Sequence, residues 1–129
     1  MIVGMQSLFL YAGVGVIGTA IHYTTLLTLV SLPTWGDSRQ GVLWATTIGA
    51  VLGAGANYAL NQRCVFPGAH RHRQALPRFA VVAGVGLIIN AAAVAALTSL
   101  HVPLLLAQPG ATALALGCGY TLNRFWTFS

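Results

Sequence analysis

Residues 8–32 have the sequence LFLYAGVGVIGTAIHYTTLLTLVSL, a run of apolar and small side chains without lysine, arginine, aspartate or glutamate. A helix of this length rises about 37 Å at 1.5 Å per residue, which exceeds the hydrocarbon thickness of a bilayer. Lipid offers the backbone no hydrogen-bond partners, so a segment that crosses it must satisfy its own amides and carbonyls. The stretch therefore predicts a transmembrane helix.

Three further apolar stretches, residues 41–60, 79–100 and 103–122, approach or reach the length of a span. None shows the alternation of apolar and polar residues that marks a barrel strand. The composition agrees, because 57% of the residues are hydrophobic and 5% are charged, with a mean hydropathy of +0.78. Soluble domains usually carry about a quarter charged residues. The sequence predicts an all-α membrane protein with four transmembrane helices in a single domain, residues 1–129.

The connectors between these helices differ in charge. Residues 33–40 are polar and nearly neutral, whereas residues 67–78 contain three of the six arginines. Arginine-rich short loops remain on the cytoplasmic side of a membrane, so the central connector is predicted to be cytoplasmic. Helix counting then places both termini in the cytoplasm, and Arg124 falls on the same side. We attribute the net charge of +5 to this orientation and to contacts with anionic lipids, and predict no nucleic-acid binding.

Two short motifs recur in the same order. They are AGVG at residues 12–15 and 83–86, and Tyr-x-Leu-Asn at residues 58–61 and 120–123. In both copies a phenylalanine follows the asparagine by five positions. The recurrence predicts two tandem two-helix repeats, about residues 7–66 and 78–128. Each repeat crosses the membrane twice, so both copies share one orientation, and a pseudo-twofold axis runs along the membrane normal.

Two asparagines near the cytoplasmic end of the second helix are candidate ligands for a lipid phosphate. Asn57 and Asn61 follow Gly49 and Gly53 at intervals of four, so all four lie on one helical face. Small residues and asparagines at such spacing also pack membrane helices against each other. Helix packing is the simpler interpretation for the glycines. For the asparagines both interpretations stay open.

The fourth helix ends in a matching cluster of Tyr120, Asn123 and Arg124, and Arg63 is the nearest counterpart in the first repeat. Spacings of three and four put Tyr120 on one face with the other two. An arginine at this depth often does no more than extend its charge to the interface. A guanidinium beside an amide is also suited to bind a phosphate through directed hydrogen bonds.

Polar residues also occur deeper in the apolar stretches. His22 lies near the middle of the first stretch and shares a face with Gly18 and Thr19. Asn90, in the third helix, is close to the position that repeats His22. A neutral histidine bonded to a neighbouring carbonyl would be structural. Polar and ionisable groups inside a membrane are nevertheless candidates for substrate contact.

Other classes of function lack their essential groups. Asp37 is the only carboxylate residue and is predicted to lie outside the membrane, so paired-carboxylate catalysis and acid-coupled proton antiport are disfavoured. Cys64 and Cys118 lack the paired spacing of a zinc site, and His70 and His72 have no third ligand nearby. We therefore predict no catalytic residues, no cofactor and no metal in a protein that is not an enzyme.

Three segments together resemble the GtrA-like family, and the resemblance covers nearly the whole chain. They are residues 14–23 (VGVIGTAIHY), 57–61 (NYALN) and 122–128 (LNRFWTF), of which the last is the most specific. The first copy departs from the pattern, because QRCVF at residues 62–66 stands in place of RFWTF. Gly119 also stands where the second helix has Asn57. The two half-sites are therefore expected to be unequal.

The resemblance implies a multi-pass protein of the bacterial cytoplasmic (inner) membrane that acts in cell-surface polysaccharide synthesis. Family members are associated with moving polyprenyl-phosphate-linked monosaccharides to the outer leaflet, where a separate glycosyltransferase adds the sugar to O-antigen, teichoic acid or arabinan. The main hypothesis is thus a flippase with a polar track for the lipid phosphate and sugar. The residues of that track are Asn57, Asn61, Arg63, Tyr120, Asn123, Arg124, His22, Thr19 and Asn90.

Four helices enclose little volume, so we expect a homodimer or a partner protein to complete the path. Membrane lipids and glycosyltransferases of the same pathway are the other expected partners. Transport is predicted to be facilitated exchange or downhill flow as the sugar is consumed outside, and a proton-linked variant could rest only on His22. The alternative hypothesis is a membrane scaffold that recruits a glycosyltransferase through the cytoplasmic arginine loop without transport. A small drug exporter is a third, disfavoured by the missing membrane-embedded acid.

Overall fold

The computed structural model describes residues 2–68 and 72–129, and every regular element in those ranges is helical. The chain divides into two compact units, Met1–Pro67 and Gly68–Ser129. The first unit contains α1 (Ile2–Val30), α2 (Pro33–Gly36), α3 (Arg39–Leu60) and a π-helical turn, π1 (Asn61–Val65). The second contains α4 (His72–Ser99), α5 (Leu104–Leu122) and a second π-helical turn, π2 (Asn123–Thr127). The prediction of an all-α chain is confirmed for the described residues.

Two of the described helices are long and apolar enough to cross a membrane, over Gly4–Val30 and Arg73–Ser99. Only 11% and 6% of their most apolar windows are buried within the protein, whereas the core helix of a soluble domain is mostly buried. α3 and α5 have 22 and 19 residues, or about 33 and 28 Å of rise. Four spans and cytoplasmic termini stay predictions.

The predicted boundary of the third helix is wrong by about two turns. The sequence placed it at residue 79, after an arginine-rich connector, but α4 begins at His72 and has Pro77 inside it. Ala75, Phe79 and Val82 are all buried, at 3%, 8% and 3% exposure, and their spacing forms one apolar stripe. Burial of this stripe favours helix through the polar segment. His70 and Arg71 of the predicted connector lie outside the described residues.

α1 packs against α3 along a seam of glycines. A Cβ built on Gly53 would lie 2.5 Å from the carbonyl oxygen of Gly18, and one on Gly49 would lie 2.7 Å from the carbonyl oxygen of His22. The two backbones are therefore in direct contact, as small residues four apart allow. Ala45, at 0% exposure, continues the seam towards the start of α3. The packing role predicted for Gly49 and Gly53 is confirmed.

In the second unit α5 packs on α4 through alanines instead of glycines. Ala107 and Ala111 are 0% and 1% exposed, at positions four apart. Near the turn the Leu97 side chain comes within 3.8 Å of a Cβ built on Gly110. The connecting turn itself contains His101 with a φ of 63°, a left-handed backbone that few residues other than glycine adopt.

The two units share a packing pattern, and the residues that correspond in it differ from those that the sequence motifs align. Tyr11 and Phe66 form a ring pair at 6.4 Å in the first unit, and Phe79 and Phe128 form one at 6.3 Å in the second. Three residues after the first member of each pair stands a buried valine, Val14 or Val82. The AGVG motifs would instead pair Val14 with Val85, three residues further on. In the structural register, His22 corresponds to Asn90.

Replacing Gly53 by alanine should destabilise the first unit, because its Cβ would meet a backbone oxygen of α1 rather than a flexible side chain. We expect the free energy of unfolding in detergent micelles to fall by about 1–3 kcal/mol, as for other overpacked cores. Gly55→Ala in the same helix is the matched control, since a Cβ there meets nothing within 4 Å. Equal unfolding midpoints for the two variants would contradict the glycine seam.

Candidate functional site

Each unit ends in the same widened helical turn, which begins at a buried asparagine. The amide of Phe66 donates to the carbonyl of Asn61 at 2.8 Å, and that of Phe128 donates to the carbonyl of Asn123 at 2.9 Å, five residues back in both cases. Such π-helical turns are rare and frequently occur at functional sites. Asn61 and Asn123 are 0% and 1% exposed. Their recurrence marks this end of each unit as a candidate site.

Asn61 is only partly satisfied by its own helix. Its Nδ2 donates to the carbonyl oxygen of Asn57 at 3.0 Å and also contacts the Asn57 Oδ1. Asn57 in turn lies against α1, since a Cβ on Gly18 would come within 3.3 Å of its Nδ2. Among the described residues none donates a hydrogen bond to the buried Asn61 Oδ1. Leaving a buried amide oxygen without a donor costs free energy, so this end retains an unused acceptor.

At the end of the second unit, Arg124 is held in place from two sides. Its Nη1 donates to the Tyr120 hydroxyl at 2.9 Å, and its Cζ lies 5.6 Å from the centroid of the Phe125 ring. Tyr120 is one turn earlier on α5, which is the spacing the sequence suggested. Arg124 and Phe125 are both exposed, Phe125 at 72%. The guanidinium therefore keeps free donors facing outwards, and Asn123 sits buried behind it.

A second arginine at this end was missed as a site residue. The Nη1 of Arg78, on α4, donates to the carbonyl of Trp126 at 2.8 Å, and its Cζ lies 5.7 Å from the Trp126 ring centroid. A carbonyl at the end of a helix has no partner within that helix, so this bond satisfies a group that would otherwise need water. The sequence could have indicated this arginine, because it directly precedes Phe79 and Phe79 belongs to a buried stripe.

His22 lies in the glycine seam, and Thr19 does not. The His22 Cδ2 would be 2.8 Å from a Cβ on Gly49, and its ring stacks on Tyr23 with centroids 5.3 Å apart. Within the described ranges the buried Nε2 of His22 has no hydrogen-bond partner. Thr19 is exposed on another face of α1. The predicted grouping of Thr19 with His22 therefore does not bring the two side chains to one seam.

Asn90 belongs to a polar cluster that sequence analysis did not find. Its Oδ1 accepts from Gln108 Nε2 at 3.3 Å and from Thr112 Oγ1 at 3.4 Å, and the latter two groups are 3.2 Å apart. Asn90 is half-buried, while Gln108 and Thr112 are exposed on α5. In the sequence, the spacing of four between Gln108 and Thr112 puts two polar side chains on one helical face and could have indicated this cluster.

Both units carry an apolar groove that reaches the π-helical end. The groove of the first unit, about 650 Å³, follows α1 from Gln6 to Ile17 and extends to Leu60 and Cys64 on the other side. The groove of the second unit, about 490 Å³, is lined by Ile89 of α4 and by α5 residues up to Leu122. Each has mostly apolar walls. Grooves of this kind suit an alkyl or isoprenoid chain better than a sugar.

The predicted site residues thus fall into separate groups and not into a single track. In the first unit His22, Asn57 and Asn61 follow the seam between α1 and α3, while Arg63 projects from π1 as an exposed side chain. In the second unit Tyr120, Asn123 and Arg124 meet at π2, and Asn90 lies apart from them. In the part of the chain that the structure describes, no three His, Cys, Asp or Glu residues are grouped to hold a metal ion.

Comparison with known proteins adds one finding to this geometry. A family model described as the GtrA/DPMS transmembrane domain matches residues 10–128. The match includes both units and both asparagine turns, so it spans each of the groups described above. The chain matches no curated protein.

Removing the Arg78 guanidinium should loosen π2 from α4. We expect Arg78→Gln to lower the free energy of unfolding by about 1 kcal/mol, because one hydrogen bond from a charged donor and one cation–π contact are lost. Arg73→Gln removes the same charge from an exposed site on the same helix and serves as the control. In chains with Trp35 and Trp44 replaced by phenylalanine, Trp126 fluorescence should shift only for Arg78→Gln. Identical spectra for both variants would contradict the contact.

Proposed function

Because the chain belongs to the GtrA/DPMS transmembrane-domain family, we propose that it moves a polyprenyl-phosphate-linked monosaccharide across the bacterial cytoplasmic membrane. Members of the GtrA family are generally membrane translocases and not catalysts. In this proposal all four long helices span the bilayer, with both termini and both π-helical turns on the cytoplasmic side. The sugar is then used on the outer leaflet by a glycosyltransferase for cell-surface polysaccharide.

The observation that carries the proposal is the position of Arg124 at the end of an apolar groove. The α5 wall of that groove ends at Thr121 and Leu122, and the next two residues are Asn123 and Arg124. An isoprenoid chain in the groove would bring its phosphate to the guanidinium, which Tyr120 holds at 2.9 Å. Arginine is suited to this task because its planar donors match phosphate oxygens.

The first unit repeats this combination in a weaker form. Its groove reaches Leu60 and Cys64, and Arg63 lies between these two residues in sequence. Asn61, in the same turn, is buried. Tyr58 is buried at 9% exposure, and Cys64 and Val65 stand where the second unit has Trp126 and Thr127. We propose that Arg124 provides the main phosphate contact and Arg63 an accessory one.

The buried polar atoms support movement of a head group rather than simple helix packing. If the amides and the imidazole served only to join helices, they would be expected to satisfy one another. Among the described residues, His22 Nε2, Asn61 Oδ1 and Thr127 Oγ1 are buried without a partner. Unpaired polar groups buried in an apolar hairpin are costly, which favours a role beyond helix packing.

A scaffold that recruits a glycosyltransferase is the second candidate. It is favoured by exposed groups at the π2 end, where Arg73, Phe125 and Trp126 lie on the surface, Phe125 at 72% and Trp126 at 41%. Arginine and large aromatic side chains are enriched in protein interfaces. In this candidate the lipid-linked sugar does not cross the membrane through the chain.

Arg124→Ala should slow translocation in liposomes that contain the purified protein and a short-chain polyprenyl-phosphate sugar. We expect a loss of about tenfold or more, since one charge-assisted contact to phosphate contributes about 1.5–3 kcal/mol. Arg39→Ala is the matched control, because Arg39 is an exposed arginine at the opposite end of a long helix. Unchanged movement would refute the Arg124 site, and no movement above empty liposomes for the native chain would favour the scaffold.

The proposed orientation predicts which reporter fusions are active at each position. A reporter that works only in the cytoplasm should be active after Ser129, and also when inserted after Gly68 in the central connector. The same reporter inserted after Asp37, between α2 and α3, should be inactive, while a periplasmic reporter should be active only there. Activity of one reporter at all three positions would contradict four spans, and exchanged activities would reverse the orientation.

A further inference from the structure

The cluster of Asn90, Gln108 and Thr112 is separate from the π2 end of the same unit. Thr112 lies eleven residues before Asn123, or about 16 Å along the axis of α5. Between them α5 is mostly apolar and small, and it forms a wall of the groove. A phosphate bound at Arg124 therefore cannot contact this cluster. The second unit has two polar levels, one at each end of its groove-lining helix.

The cluster is loosely bonded and retains free hydrogen-bonding groups. Its three internal contacts measure 3.2–3.4 Å, at or beyond the long end of ordinary hydrogen bonds. Among the described residues none accepts a hydrogen bond from Asn90 Nδ2, and none donates one to Gln108 Oε1. The cluster therefore offers amide donors and a carbonyl acceptor on the same surface. A set of groups that only joined α4 to α5 would be expected to bond more closely.

The surroundings of the cluster make these free groups costly unless a polar ligand occupies them. Gln108 and Thr112 are exposed on α5, and the neighbouring Leu105 and Leu106 are 89% and 67% exposed. Such a surface faces lipid or another apolar surface, where an unsatisfied amide carries a desolvation cost. The helix would be more stable with leucine at residue 108 if packing were its only role.

The chemistry of the cluster matches hydroxyl groups better than phosphate. None of its three side chains carries a charge, so a phosphate would gain little there compared with Arg124. A sugar hydroxyl is donor and acceptor at once, as are the amides and the threonine hydroxyl. Two amides and one hydroxyl on neighbouring helical turns can each engage a different hydroxyl of one pyranose ring.

The described residues of the first unit do not offer an equivalent cluster. His22 occupies the position that corresponds to Asn90, but it is enclosed by the glycine seam, with Gly49 close to its ring. The α3 residues that correspond to Gln108 and Thr112 are Thr46 and Ala50. The amide–hydroxyl combination is therefore particular to the second unit.

We infer that Asn90, Gln108 and Thr112 bind the sugar hydroxyls of the lipid-linked substrate, at a level of the second unit distinct from its phosphate contact. This inference rests on the proposed function, and it identifies the side chains that distinguish a sugar-bearing lipid from a bare prenyl phosphate. The cluster lies towards the turn between α4 and α5. In the proposed orientation it therefore receives the sugar at the outer half of the membrane.

The test compares the binding of two kinds of lipid to the full chain in detergent. The probes are farnesyl phosphate and its esters with glucose, mannose, galactose and arabinose. We expect the native chain to bind at least one ester more tightly than farnesyl phosphate. Asn90→Leu combined with Gln108→Leu should reduce that preference about tenfold or more and leave farnesyl phosphate affinity within about twofold. Gln74→Leu, at an exposed position on α4, is the control.

Thr112→Val is a second variant, which removes one hydroxyl at nearly constant volume. Thr98→Val is its control, because the Thr98 hydroxyl bonds to the carbonyl of Val94 in its own helix. It should weaken the preference by a smaller factor. A native chain without any preference, or a double variant that loses affinity for all lipids equally, would overturn the inference. So would a change in oligomeric state without a change in preference, which would assign the cluster to contact between copies.

The result can be separated from that of the transport assay. Sugar-selective binding that depends on the cluster, in a chain that moves no lipid in liposomes, counts against translocation and not against the site. Movement that occurs without any dependence on the cluster counts against the site alone. Binding of none of the five lipids by the native chain contradicts both.

Discussion

The backbone hydrogen bond that spans five residues, from Phe66 to Asn61 and from Phe128 to Asn123, is the constraint on which the polar end of each unit depends. A helix that widens at its last turn changes the direction of the side chains that follow it. In the second unit this places Trp126 so that Arg78 reaches its carbonyl, and Phe128 so that its ring meets Phe79. The bond from Arg78 supplies a partner to a carbonyl that its own helix leaves unpaired.

The two units use the same plan with different seams. Glycines let α1 and α3 touch through their backbones, so the first unit is closed around His22 and Asn57. In the second unit two alanines of α5 are buried, and the polar cluster between α4 and α5 is loosely bonded and open at the surface. The first unit is thus tightly packed along its seam, and the second has accessible polar groups. In the proposed function the first copy is mainly structural and the second is mainly in contact with substrate.

Hydropathy predicted the helices well because membrane burial leaves the backbone few alternatives to helix. It failed at residues 72–78, where arginines hid the stripe that begins with Ala75, because hydropathy averages over all faces of a helix. The motif Tyr-x-Leu-Asn-x-x-x-x-Phe marked both π-helical turns without revealing their geometry. Whether the last turn closes with an i→i+5 or an i→i+4 backbone hydrogen bond depends on how the turn packs, and the amino-acid composition does not reveal it.

Side-chain grouping was harder to predict than helix position. Thr19 and His22 are three apart, but the seam lies on the line of Gly18 and His22, so Thr19 points away from it. The AGVG motifs shifted the register of the repeat by three residues, because glycines outside the packed seams recur easily in a chain with 15 of them. The buried valines and ring pairs gave the register instead.

In the proposed function, the separation of the phosphate contact from the hydroxyl contacts bears on how a phosphosugar crosses the membrane. A single site that bound phosphate and sugar tightly together would stabilise the substrate at one depth and slow its release. Two weaker levels about 16 Å apart let the head group exchange phosphate contacts for hydroxyl contacts while the isoprenoid chain remains in apolar surroundings. Asp37, the only aspartate or glutamate in the sequence, lies outside the long helices, so a proton-linked variant could rest only on His22. In the proposed function, direction follows from consumption of the sugar on the outer side, and the protein needs only to lower the barrier in both directions.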